Sequence, residues 1–379
     1  MKKLLFLTIA IMAANTISAQ DVMTPETLWK LGRVTGLGLS KDGKNVVYKV
    51  VTPSVEENKS NTKYYTVALT GGNPVEVADY KSLMTDRNVS PDGKHIVYHE
   101  EVKLASVHGK DFYPELKKSD VQVYNSLDYR HWDTWNEGKY NHVFFRENKD
   151  KSRGTDIMKD ELFDSPTKPF GDEEDYLWSP DGKSILYVCK KKSGTEYAIS
   201  TNTDIYEYDI ASGKTINRTE GNLGYDTHPA FSPQGHLTWL QMENDGYESD
   251  KNDIIVAFQN MKMNLTSAWD GTVDSFMWSK DGKKVYFIAA VDGTKQLFEV
   301  NFPGLTRIAI TVRQLTNGNF DVSDLVAVTD THIVVARNDM NHAAELYTFD
   351  FKKKTGNNSP IPIKRFTTTS LWAKPKSVM

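Results

Sequence analysis

The chain has 379 residues, of which 46 are basic and 50 acidic, for a formal charge of −4 at pH 7; that balance offers no electrostatic basis for binding nucleic acid or an anionic membrane surface. Charged residues make up 25 % and hydrophobic ones 39 %, the composition of a folded globular chain rather than a disordered or collagen-like one. A single cysteine, Cys189, excludes an internal disulfide and a multi-cysteine zinc site.

The chain opens with Lys2 and Lys3, then the apolar run Leu4 to Ala14, then Ile17, Ser18 and Ala19. This reads as a signal peptide, residues 1–19, with cleavage after Ala19 and a periplasmic or secreted mature protein. The apolar run is shorter than the ~18 residues of a membrane span, and no later stretch reaches that length.

From there to residue 369 one pattern recurs. Leu39-SKDGKNVVY, Val89-SPDGKHIVY, Trp178-SPDGKSILY, Phe231-SPQGHLTWL and Trp278-SKDGKKVYF each place an apolar residue and a serine before a glycine-closed turn, then a β-branched and aromatic run. That is a hairpin: the glycine takes a positive φ and the run that follows is a strand. Weaker copies at Trp135-NEGKYNHVFF and Val328-TDTHIVVA bring the count to seven, at a spacing of about 48 residues. Between the marks lie further short strands, so each unit holds four. The expectation is an all-β, seven-bladed β-propeller of four-stranded antiparallel blades over residues 20–369, with a tail at 370–379. A blade cannot bury its own faces, so Leu39, Val89, Trp178, Phe231 and Trp278 are expected in the packing between blades.

Non-repeating insertions interrupt the pattern. Tyr129-RHWDTW places Arg130, His131, Trp132 and Asp133 side by side, Gly171-DEEDYLW has four acids in a row, and Met242-ENDGYESDK is a third polar stretch. Composition alone reads these as solvated loops; loops on one face of a propeller also build binding surfaces. His95 and His99 share a strand face without a carboxylate beside them and read as surface residues. Asn148-KDKSRG opens like a calcium loop but has Lys159 where a bidentate Glu is needed. No G-x-S-x-G nucleophile turn, phosphate loop or dinucleotide fingerprint occurs. The sequence therefore offers no catalytic residue, no metal ligand set and no cofactor.

The S-P-D-G-K units, the Arg130-His-Trp-Asp run, Gly224-YDTHPAFSP and Met242-ENDGYESDK together resemble the N-terminal propeller of the prolyl oligopeptidase family of serine peptidases, in particular its bacterial dipeptidyl peptidase 5 and acylaminoacyl peptidase types. The resemblance implies a propeller that gates an α/β-hydrolase domain, which this sequence lacks, and that admits short peptides. It implies that propeller carboxylates hold the peptide's free α-ammonium, and by position Glu173 and Glu174 are the candidates. Arg130, His131, Trp132 and Asp133 would order the loop facing the hydrolase. The implied partners are short peptides with free N-termini and that hydrolase domain. The alternative is a stand-alone periplasmic propeller of the TolB kind, working through protein partners.

Overall fold

The computed structural model describes residues 24–127, 129–259 and 261–351 and the backbone of 363–365. The expected leader, 1–19, and the tail, 370–379, lie outside the described residues. Five four-stranded antiparallel sheets follow one another in strict chain order. Sheet 1 runs from Arg33–Leu39 to Val75–Val77, sheet 3 from Tyr176–Trp178 to Lys214–Asn217, sheet 4 from Asp226–Phe231 to Met261–Asn264, sheet 5 from Val273–Trp278 to Val312–Gln314, and sheet 6 from Asp321–Val328 to Ile363–Arg365. Sheet 2 has the three strands His95–Lys103, Lys139–Glu147 and Thr155–Asp156, with only a bridge from Val89 to Ile96 where a first strand would stand.

The all-β propeller architecture is as expected, but the described residues form six blades rather than seven. Gly93 and Gly138, taken as marks of separate units, belong to sheet 2, whose strands His95–Lys103 and Lys139–Glu147 pair directly. Gly138, at φ 71°, closes the neck of an insertion: its carbonyl accepts the amides of Leu104 and Ala105.

The repeated turn has a mechanism that the glycine alone does not convey. In sheet 3, Ser179 Oγ donates to Asp181 Oδ1 at 2.7 Å and accepts the amide of Ser184 at 3.0 Å, while Asp181 Oδ1 also accepts the amide of Lys183. Ser40, Ser90 and Ser279 make the same pair with Asp42, Asp92 and Asp281. The serine thus pins the first residue of the next strand, and the turn is satisfied before any tertiary contact forms.

Both faces of sheets 3 to 6 are buried, which explains their continuous apolar second strands. In sheet 5, Val285 and Phe287 pack toward sheet 4, and Tyr286 and Ile288 toward sheet 6. Trp178 and Trp278 lie between blades as expected, and each also reaches back to the preceding sheet or its entry. Trp178 Nε1 donates to the Asn88 carbonyl at 2.8 Å, and Trp278 Nε1 to Thr238 Oγ1 at 3.1 Å.

Sheet 1 closes on sheet 6 through a shared core of Val34, Val46, Tyr48 and Val67 with Val326, Val334 and Leu346. There Gly36 meets the Val326 methyls so closely that a Cβ would collide with them. Sheets 1 and 2 have no such shared core among the described residues; Tyr64 stacks on Tyr80 at 4.0 Å and Lys41 N donates to Leu83 O across that junction. The first strands of sheets 3 and 4, of sheets 5 and 6, and of sheets 6 and 1 touch one another, the arrangement of strands that line a propeller's axis. Four of them carry a β-bulge, at Gly36/Gly38, Thr227/Ala230, Val273/Ser275 and Val322/Asp324, the device that adds local twist and re-aims side chains.

Candidate functional site

Antiparallel order puts the first-to-second and third-to-fourth connections at one end of each blade, and the other connections at the opposite end. The serine turns therefore share one face of the ring. The stretches 104–138, 157–175, 190–203, 218–225 and 242–252 all emerge on the other face. All three insertions singled out from composition are thus on one side, at the start of the axial strands.

The acidic run is held in a closed loop just ahead of the axial strand Tyr176–Trp178. Thr167 donates from both its amide and Oγ1 to Asp175 Oδ2, each at 2.8 Å, and Gly171 N donates to Thr167 O. Asp172 caps the single 3₁₀ turn Glu173–Asp175 by accepting the Glu174 amide at 2.8 Å. A Cβ on Gly171 would collide with Thr167 backbone and with Asp175 Oδ2, so only glycine allows the loop to close this tightly. Burial holds the Asp175 carboxyl above the usual carboxylate range, against the two Thr167 bonds and the nearby His228.

Closure of this loop splits the two candidate carboxylates. Glu173 acts on Tyr80 and on Tyr176, helping burial to raise both phenols. Glu174 reaches toward sheet 4. Its Oε2 is 3.7 Å from His228 Nε2, a residue at φ 53° in the bulge of the first strand of sheet 4. Its charge also adds to desolvation in raising the carboxyl of Asp324, from the bulged first strand of sheet 6. Glu174, from the loop leading into sheet 3, thus lies beside His228 of sheet 4 and near enough to Asp324 of sheet 6 for its charge to act there. The last two carry no local sequence signal; both sit at a bulge in the first strand of their sheet.

The Arg130 run forms a two-residue hairpin, Arg130–His131 with Thr134–Trp135. Its base is aromatic: Tyr124, Tyr129 and Trp135 lie with centroids 5.4 to 5.9 Å apart, and the Arg130 guanidinium is 5.5 Å from the Trp135 ring. Trp132, at the tip, meets Phe170 edge to face at 5.5 Å, which brings this hairpin against the loop that bears Glu173 and Glu174. His99, read as a surface residue, is exposed, with Nδ1 3.1 Å from the Tyr176 hydroxyl.

The third insertion is pinned by its own acids. Asp250 Oδ2 accepts the amides of Glu243 and Asn244, and Asp245 Oδ1 accepts Ser200 Oγ and the Thr201 amide. It borders a polar cavity of about 560 Å³ lined by Asn222, Gln241, Asp253 and Asn264. Beneath it is a group that sequence reading missed. Asp226 is fully buried and accepts Trp239 Nε1 at 2.7 Å and Asn222 Nδ2 at 3.1 Å. Burial pushes its pKa up to about 7, Asp204 adds to the rise, and the two hydrogen bonds and Lys262 oppose it.

Dipeptidyl-peptidase 5 of Porphyromonas gingivalis is 33 % identical over 403 residues, covering 90 % of this chain and 58 % of its own length. The dipeptidyl-peptidase 5 of Porphyromonas endodontalis is 37 % identical, covering 89 % and 55 %. This chain is a homologue of dipeptidyl-peptidase 5. It spans a little over half the length of these relatives. The matched stretch of 403 positions exceeds the 379 residues here, so the P. gingivalis homologue has internal residues without a counterpart in this chain. No protein-family model matches. Among solved structures, an acylaminoacyl peptidase in complex with Z-Gly-Gly-Phe-chloromethyl ketone aligns with a TM-score of 0.63 at 13 % identity, over 90 % of this chain and 53 % of that one. The uncomplexed Pyrococcus horikoshii acylaminoacyl peptidase gives 0.63 at 14 %, over 91 % and 54 %. At such identities the likeness concerns the propeller fold. Among the described residues no helix is long and apolar enough to cross a membrane.

Proposed function

We propose that this chain is the propeller portion of an exported serine dipeptidyl or acylaminoacyl peptidase, working in the periplasm or outside the cell, and that it gates the active site and recognises the substrate's N-terminus. An α/β-hydrolase domain supplies the nucleophile and lies against the face with the long connections. The axial opening admits short peptides and excludes folded proteins. Residues 1–19 direct export. The hairpin of Arg130, His131, Trp132 and Asp133 belongs to the face that meets the hydrolase.

The observation that carries the recognition role is Glu174 lying 3.7 Å from His228, a residue of sheet 4's first strand, on the face with the long connections. An ammonium there meets the Glu174 carboxylate, with the charge of Asp324 acting on the same region, and partial shielding from water strengthens the attraction. Glu173, whose charge acts on Tyr80 and Tyr176 instead, is the weaker candidate. The test is calorimetric titration of alanyl-alanine amide and its N-acetyl form onto the full chain. The free amine should bind, the blocked form should not, and the peptide should be recovered uncleaved. Glu174→Gln should weaken binding about tenfold or more, the scale of a charge-assisted hydrogen bond, while Glu173→Gln should change it little. Equal affinity of free and blocked peptides would refute the assignment.

A further inference from the structure

Sheets 3 and 5 share one register between their second and third strands. In sheet 3, Ser184 and Leu186 pair with Asp209 and Glu207; in sheet 5, Lys284 and Tyr286 pair with Asn301 and Glu299. Ser184 therefore stands where Lys284 stands, Leu186 where Tyr286 does, and Glu207 where Glu299 does. In sheet 5 the carboxylate meets two cations. Lys284 Nζ donates to both Glu299 oxygens at 2.9 Å, and Arg313 Nε and Nη2 donate to Oε1 at 3.0 and 2.7 Å. In sheet 3 a hydroxyl takes the place of the ammonium. Glu207 Oε1 accepts Ser184 Oγ at 2.6 Å, while Arg218 brings a guanidinium, its Nε 3.3 Å from Oε2.

Both replacements shrink the side chain, and a cavity of about 390 Å³, lined by Ser184, Leu186 and Glu207, opens between sheets 3 and 4. Residues of the serine turns Ser179–Gly182 and Ser232–Gly235 also line it, so it lies on the side of the ring opposite the long connections. Its apolar wall is Leu186, Phe231, Leu237 and Ala257, and its charged groups are the carboxylates of Glu207 and Asp181 against the one guanidinium of Arg218. A ligand that restores what Lys284 supplies in sheet 5 is a primary ammonium on an unbranched aliphatic chain. A carboxylate already fixed by a hydroxyl and a guanidinium is oriented to accept it, and partial enclosure strengthens such a charge-assisted bond. We infer that this cavity binds that group, as a free alkylamine or a lysine side chain, with the ammonium on Glu207 and the methylenes against Leu186 and Leu237. The inference does not depend on the reading of Glu174.

The test titrates the full chain with pentylamine, pentanol and Nα-acetyl-lysine methylamide, followed by methyl NMR. Pentylamine should bind about tenfold or more tightly than pentanol, the scale of a hydrogen bond to a charged group. The signals that shift should be the methyls of Leu186, Leu237 and Ala257, which separates this cavity from the amine site proposed beside His228. Glu207→Gln should erase the preference for the amine. Ser184→Lys should place a tethered ammonium on Glu207, abolish pentylamine binding and raise the melting temperature; it decides alone if Glu207→Gln does not fold. Binding of the lysine derivative as well as pentylamine supports a side-chain ligand, and binding of pentylamine alone supports a free amine. The inference is overturned if pentylamine binds no better than pentanol, if the shifts lie elsewhere, if the preference survives Glu207→Gln, or if Ser184→Lys leaves amine binding intact.

Discussion

Asp226 should make the propeller more stable in mild acid than at neutrality. Its carboxyl is fully buried between Trp239 and Asn222, with a folded-state pKa of about 7 against an ordinary value of 3.8. Between these values the folded chain holds a proton that the unfolded chain has released. Stability therefore falls as pH rises through that window and levels off above it. At about 1.4 kcal/mol per pH unit, the interval from 3.8 to about 7 gives a loss of about 4 kcal/mol between pH 4 and pH 7. The assay is urea unfolding of the unmodified chain and of Asp226→Asn from pH 4.5 to 8, taking the difference at each pH so that other titrations cancel. That difference should move steadily against the unmodified chain up to about pH 7. A constant difference, or one moving in its favour as pH rises, would refute the argument, because it would mean that the buried group is held as a carboxylate.

Two further perturbations probe the framework. His142 is fully buried, with Nδ1 2.8 Å from Asp156 Oδ2 and Nε2 2.8 Å from the Glu161 carbonyl. Burial alone would lower its pKa, but these partners outweigh it and hold the pKa above the ordinary value. Its contribution should be complete below pH 6.5 and be lost as pH rises through the raised value; His142→Gln should thus cost about 2 kcal/mol at pH 6 and less at pH 8.5, measured by denaturant titration. Gly36→Ala should destabilise by about 1–3 kcal/mol, because the added Cβ meets the Val326 methyls at the junction of sheets 1 and 6; an unchanged melting temperature would show that this junction is loose.

The hairpin turns were legible because their chemistry is local: serine, aspartate and glycine sit within four residues of one another. The blade count was not. Gly138 also has a positive φ and precedes a strand, so it looks like a turn glycine, although it seals the neck of an insertion in a blade already begun at Gly93. A period cannot separate one interrupted blade from two short ones. The acidic run at Glu173 and Glu174 was visible as composition, but what it faces was not, since His228 and Asp324 come from other sheets. Asp226 was hidden for a related reason: nothing in its neighbours Tyr225 and Thr227 marks it as buried, and only the fold brings it to the indole of Trp239.

Each described sheet is drawn from a single contiguous stretch, and the first and last exchange no strand. During synthesis, therefore, a blade can pair its own strands before the next has left the ribosome, and each new blade has a finished neighbour to settle on. The exception is the meeting of Val34 and Val46 with Val326 and Leu346, whose partners are made about 300 residues apart. Until then the outer face of the first blade is left open to solvent or to a chaperone, and closing it is the step at which the ring first becomes a single cooperative object.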